Sequence, residues 1–214
     1  MNFKLDNDNN ALIENIEVTA EKNTATTLII KYETENDECY YHNGIIRTKT
    51  YENAKLNIIV LNMINETSNN FLSIENDLEN NSEVHFYIVD MGGKNSITNY
   101  YSNIKGECAN NQLNTIYLGK NDQTYDLNYI AELRGEKSNI DIEVEGALKN
   151  PTIIHNVICY PKLWFVHTRK QSGLSACNKG INCSCKKYFN LWHYFANQTD
   201  YYNEIARFTG VKSN

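Results

Sequence analysis

Apolar and polar positions along this chain alternate in short runs, the period-two pattern of half-buried β-strands. Ile140, Ile142 and Val144 alternate with Asp141, Glu143 and Glu145, a pattern with one face inward and one outward. Leu56, Ile58 and Val60 alternate with Asn57, Ile59 and Leu61, which reads as a strand buried on both faces. An apolar residue every three or four positions over a helical length is missing through most of the chain. The stretch from about Asn10 to Ile16 is the one place where a short helix is expected.

The strand pattern repeats. Polar turns holding Asn or Ser lead into strands that open at Leu28, Leu56, Val84, Leu113 and Ile140, spaced 28, 28, 29 and 27 residues apart. A second strand-like run lies inside each period: Tyr40 to Arg47, Phe71 to Leu78, Ile97 to Ile104 and Tyr125 to Leu133. Two strands and two turns per period predict a β-solenoid. Each coil fails to bury its apolar face alone, so coils stack in parallel and share a core. Asn-rich corners suit such stacking, because Asn tolerates left-handed backbone and its amides form ladders. An antiparallel sandwich is the competing arrangement, but it seldom keeps so regular a spacing.

Certain segments also carry a family resemblance. Leu113-Asn-Thr-Ile-Tyr-Leu-Gly119, Tyr125-Asp-Leu-Asn-Tyr129, Gly135, and Ser138 through Leu148 together resemble the SufB/SufD family of iron–sulfur cluster assembly proteins. Tyr41-His-Asn-Gly44, Ala54 through Ile59 and Ser68-Asn-Asn-Phe71 are similar to its shorter SufD-like members. The resemblance spans about residues 10–149. It implies a right-handed parallel β-helix of about five coils of 27–29 residues. It also implies a cytoplasmic, non-enzymatic scaffold subunit, partnered by a SufC-type ATPase and a SufB/SufD-type subunit. Iron or an iron–sulfur cluster is then transient cargo, and no cofactor is tightly bound. Beyond Leu148 the family's pattern is not followed, so its C-terminal part is expected to be missing or replaced and the subunit crippled. No functional residue of the family carries over.

Charge marks the same place. Residues 1–150 hold 12 Lys and Arg against 24 Asp and Glu; residues 151–214 hold 8 against Asp200 and Glu204. We therefore read a β-helix core over 1–150 and a basic, Cys- and aromatic-rich tail over 151–214, irregular or partly helical. The net charge of −6 excludes a whole-chain basic footprint for nucleic acid. No apolar run is long enough to span a membrane, and the first residues lack the pattern of a secretory signal, so a cytoplasmic protein with reduced thiols is expected.

The tail supplies candidate chemistry. Cys177, Cys183 and Cys185 are candidate metal ligands, with Cys159, His155, His167 and His193 outside that cluster. Their spacing fits neither the usual zinc pairs nor the common ferredoxin patterns. Lys186, Lys187, Tyr188, Phe189, Trp192 and Phe195 suit an amphipathic helix better than a stacking platform for single-stranded nucleic acid. Thr152 to Cys159 is a candidate sixth strand that would cap the open edge of the last coil. In the core, His42 and His85 are expected as hydrogen-bonded structural residues. Asp126, Glu132, Asp141, Glu143 and Glu145 are expected on the solvated faces of strands. Two other functions compete. A carbohydrate-active β-helix enzyme would need those carboxylates gathered on one face, and a metal-binding regulator would need the tail thiols to converge.

Overall fold

The computed structural model describes residues 1–120, 122–149, 152–161 and 182–189. Every described element is a strand, in the order β1 (Asn2–Leu5), β2 (Ala11–Ala20), β3 (Ala25–Thr34), β4 (Tyr41–Thr50), β5 (Lys55–Met63), β6 (Asn69–Leu78), β7 (Glu83–Asp90), β8 (Asn95–Ile104), β9 (Asn110–Lys120), β10 (Thr124–Leu133), β11 (Asn139–Lys149), β12 (Thr152–Pro161) and β13 (Asn182–Phe189). Odd strands form one sheet in the order β1-β3-β5-β7-β9-β11-β13, and even strands form the other, β12-β10-β8-β6-β4-β2. Neighbouring strands in both sheets pair in parallel, as in β5 with β7 and β6 with β8. The chain is thus a β-solenoid whose coils each give one strand to each sheet, and the antiparallel sandwich is excluded.

The core lies between the sheets. Inward positions of successive coils stack into columns such as Ile58, Phe86, Leu113 and Ile142, all fully buried. Burying such columns continuously is what lets coils that are unstable singly hold one another.

The register corrects the sequence reading in three places. Leu56, Val84 and Ile140 are equivalent, but their partners in the same column are Thr26 and Asn111, not Leu28 and Leu113. The inward pattern repeats every second residue, so an apolar anchor slides easily to the next inward site. The segment expected as a helix is strand β2. Its alternation is blurred because Glu14 points inward while Ile13 is 76% exposed. β5 is not buried on both faces, since Asn57, Ile59 and Leu61 remain half-exposed on the outer surface.

One corner of each coil uses the same backbone device. Asn23, Asn53, Asn81, Cys108 and Lys137 all have positive φ, between 53° and 59°. The amide of each of the first four donates to the next coil, as in Asn53 N to the Asn80 carbonyl at 3.1 Å and Cys108 N to the Glu136 carbonyl at 2.9 Å. Asn53 Nδ2 also donates to Asn23 Oδ1 at 3.2 Å, a short amide ladder along the corner. Left-handed backbone strains ordinary side chains and suits Asn. Lys137→Asn is therefore expected to raise stability by about 0.5–1 kcal/mol, read as a higher urea midpoint with an unchanged slope.

The segment Thr152 to Cys159 does form a strand. β12 extends the even sheet beside β10, and β13 extends the odd sheet beside β11. Lys186 to Phe189 belong to strand β13, not to a helix. Trp192 and Phe195 lie outside the described residues.

Candidate functional site

Of the three candidate ligand cysteines, two fall among the described residues. Cys177 lies outside them. Cys183 and Cys185 stand two residues apart on β13, in register with Ile140 and Ile142 of β11. No group of three or more His, Cys, Asp or Glu among the described residues is placed to hold a metal ion. Cys39 and Cys108 are exposed free thiols at corners.

The five candidate carboxylates divide between opposite sheets. Asp126 and Glu132 are on β10; Asp141, Glu143 and Glu145 are on β11. Each alternates outward. Glu132 pairs with Arg134, whose guanidinium holds it below the usual carboxylate range. Glu143 Oε2 accepts from Asn114 Nδ2 at 3.2 Å, and Asp126 Oδ1 accepts from Asn128 Nδ2 at 2.9 Å. The five carboxylates are thus split between the outer faces of two sheets rather than gathered on one.

The outer surface of the even sheet has a shallow groove of about 490 Å³ lined in part by Glu17, Arg47, Lys49, Glu75, Asp77 and Tyr101. Several of its charges are paired. Arg47 Nε donates to Glu75 Oε2 at 2.8 Å and its Nη1 to Asn15 Oδ1 at 2.9 Å. Lys105 Nζ meets Asp77 Oδ2 at 2.9 Å, and Lys49 Nζ sits 4.6 Å from the centre of the Tyr51 ring. Such a surface presents both signs and offers no single-sign cradle for an ion.

The concentrated chemistry is inside. His42, Asn70 and Ser96 occupy one inward column of the even sheet, on β4, β6 and β8. Tyr32, Asn62 and Asp90 occupy a column of the odd sheet. Together they form a buried polar chain. Tyr32 OH donates to Glu14 Oε1 at 2.7 Å, and His42 Nε2 lies 3.2 Å from the same oxygen. His42 Nδ1 is 2.6 Å from Asn70 Oδ1. Asn70 Nδ2 donates to Ser96 Oγ at 2.9 Å, Ser96 Oγ to Asp90 Oδ2 at 2.7 Å, and Asn62 Nδ2 to Asp90 Oδ1 at 2.6 Å. The His42 side chain is fully buried and that of Glu14 is 10% exposed. Gly44 makes room for the pair, because a Cβ there would sit 2.2 Å from Glu14 Oε1 and 2.8 Å from His42 Nε2.

Burial pushes the Asp90 carboxyl up to about 6, against the pull of its donors Ser96, Asn62 and the Gly92 amide. In the unfolded chain it would titrate near 4. Burying its charge thus weakens the fold above about pH 6, and that penalty disappears as pH falls toward 4. In Asp90→Asn, the stability gained between pH 7 and pH 4.5 is expected to shrink by about 2 kcal/mol, measured by urea unfolding at both pH values.

Sequence reasoning singled out His42 as structural, and its burial and hydrogen bonds agree. It passed over Glu14, Tyr32, Asn62, Asn70, Asp90 and Ser96. The available signal was a polar residue on the inward phase of a strand, recurring at the coil period from 42 to 70 to 96.

Among the described residues no helix is long and apolar enough to cross a membrane. The family model described as the SufBD core domain of SUF system FeS cluster assembly matches residues 3–153, which takes in every coil from β1 to β11. No curated protein matches the chain.

Proposed function

Because the chain belongs to the SufB/SufD family, whose core domain serves iron–sulfur cluster assembly in the SUF system, we propose that it acts there as a non-catalytic scaffold subunit. It works in the cytoplasm, by association with a SufC-type ATPase and a SufB-type partner. Iron or an iron–sulfur cluster passes through the complex as cargo, with no cofactor resident in this chain. The observation that carries this reading is the extent of the match. The described residues of the match form stacked parallel coils, and stacked coils present long regular faces suited to protein partners. The polar side chains of greatest chemical interest are spent on internal hydrogen bonds, which is the economy of a scaffold.

Pull-down of the tagged full-length chain with the ATPase and the SufB-type partner from the same source tests the proposal. Retention of either protein at a fixed ratio through washing at moderate salt is the expected result. Passage of both through the column, with the bait folded by circular dichroism, would overturn it. A parallel bait ending at residue 150 lacks β12 and β13 and uncovers the outer edges of β10 and β11. Unpaired edges of that length invite aggregation, so this bait is expected to lose solubility while the full chain keeps it.

A further inference from the structure

The buried chain from His42 to Asp90 has a fixed polarity in each protonation state of Asp90. With Asp90 ionised, Oδ2 only accepts, so the Ser96 hydroxyl points at it. The Ser96 oxygen then accepts from Asn70 Nδ2, which leaves Asn70 Oδ1 facing His42. An amide oxygen only accepts, so His42 carries its proton on Nδ1. His42 Nε2 is left facing Glu14 Oε1, which already accepts from Tyr32. Unless Nε2 also carries a proton, two acceptors meet there.

Adding a proton to Asp90 Oδ2 reverses every step. The carboxyl O–H donates to Ser96 Oγ, and the Ser96 hydroxyl turns toward Asn70. Asn70 turns its amide over, so that Oδ1 accepts from Ser96 and Nδ2 donates to His42 Nδ1. The His42 proton then belongs on Nε2, where it donates to Glu14 Oε1. Asn70 and Ser96 make no side-chain hydrogen bonds outside this chain among the described residues, so the turnover breaks nothing else. Asp90 Oδ1 keeps its bond from Asn62 throughout.

We propose that His42, Asn70, Ser96 and Asp90 form a reversible hydrogen-bond switch inside the solenoid, through which protonation of Asp90 sets the tautomer of His42 and its contact with Glu14. The groups facing its two ends are known. Asp90 meets Asn62 of β5, Ser96 of β8, the Gly92 amide and, in register on β9, Tyr117; Tyr129 of β10 senses its charge. His42 meets Glu14 of β2, Asn70 of β6 and the Tyr32 ring of β3, whose centroid is 4.1 Å away. Among the described residues no Lys or Arg takes part. The switch links the middle of the solenoid to its first coils and does not depend on the proposed role in cluster assembly.

The test is NMR on the isotope-labelled full-length chain from pH 7.5 to 4.5, following the Asp90 side-chain carboxyl carbon and both His42 ring nitrogens. The expected result is a His42 change from the Nδ1–H to the Nε2–H form with the same midpoint as the Asp90 carboxyl. In Ser96→Ala, a small-to-smaller change that leaves the strand intact, Asp90 still titrates but the His42 tautomer no longer follows it. Three results would overturn the proposal. His42 could keep one tautomer while Asp90 titrates, could pass directly to the doubly protonated ring, or could follow Asp90 unchanged in Ser96→Ala.

Discussion

Phe86→Ala is expected to destabilise the protein by about 4 kcal/mol, the largest effect of any single truncation considered. Phe86 is fully buried in β7, stacked in its column between Ile58 and Leu113. Its ring meets Tyr100 of the opposite sheet edge-on at 5.3 Å. Removing it takes away the transfer free energy of the ring and leaves a cavity that neighbours on both sheets fail to fill. Position in the array adds to the effect. The stability of a solenoid is largely nearest-neighbour coupling between coils, and a defect in a central coil weakens the interface on both sides. Ile29→Ala on the outer face, where the side chain is 49% exposed, is the control and is expected to cost less than about 1 kcal/mol. Urea unfolding of both variants measures the contrast. Equal midpoints would show that the inward phase has been assigned to the wrong positions.

Gly135→Ala is expected to cost about 3 kcal/mol, although it adds only one methyl group, at a buried position within a corner. A Cβ at Gly135 would lie 1.8 Å from the Gly106 carbonyl oxygen and 2.2 Å from its carbonyl carbon. Gly106 in turn has Glu79 backbone atoms at 2.0–2.2 Å from where its own Cβ would be. These obstacles are backbone, so no rotamer change relieves the clash. The coils must separate locally, which stretches bonds such as Gly135 N to the Ile104 carbonyl and Gly106 N to the Leu78 carbonyl. Gly44→Ala is the instructive contrast. Its obstacles are the far end of Glu14 and the His42 ring edge, so Glu14 swings away at a smaller cost, and the contact between Glu14 and His42 is what suffers. Thermal or urea unfolding should rank Gly135→Ala well below Gly44→Ala. The reverse order would mean the corner stack is looser than the structure shows.

The architecture was legible because parallel stacking forces equal coil lengths, and the 27–29-residue spacing survives in the sequence. The exact alignment of coils was less so. Leu28 and Leu113 both face inward, two residues from the true equivalents Thr26 and Asn111, and apolarity alone does not distinguish adjacent inward sites. β2 was hidden because an inward Glu14 and an outward Ile13 together cancel the alternation that marks a strand. The internal polar chain was hidden for a related reason. Asn, Ser and Asp between apolar residues read as outward positions until the register puts Asn62, Asp90 and Ser96 on the inner columns. The outward carboxylates of β10 and β11 were read directly, since Asp and Glu at every second position mark a solvated face. The tail thiols gave a spacing without a partner set; Cys159 falls on β12 and Cys183 and Cys185 on β13, while Cys177 lies outside the described residues.

The most direct test of the scaffold role is anaerobic co-expression of the full-length chain with the SufC-type ATPase and the SufB-type partner, followed by purification through a tag on the partner and assay of protein ratio, iron and acid-labile sulfide. The account predicts that this chain elutes in a fixed ratio with both partners and that the complex carries iron and sulfide. A partner and ATPase that co-elute with a full complement of iron and sulfide while this chain stays behind would contradict it.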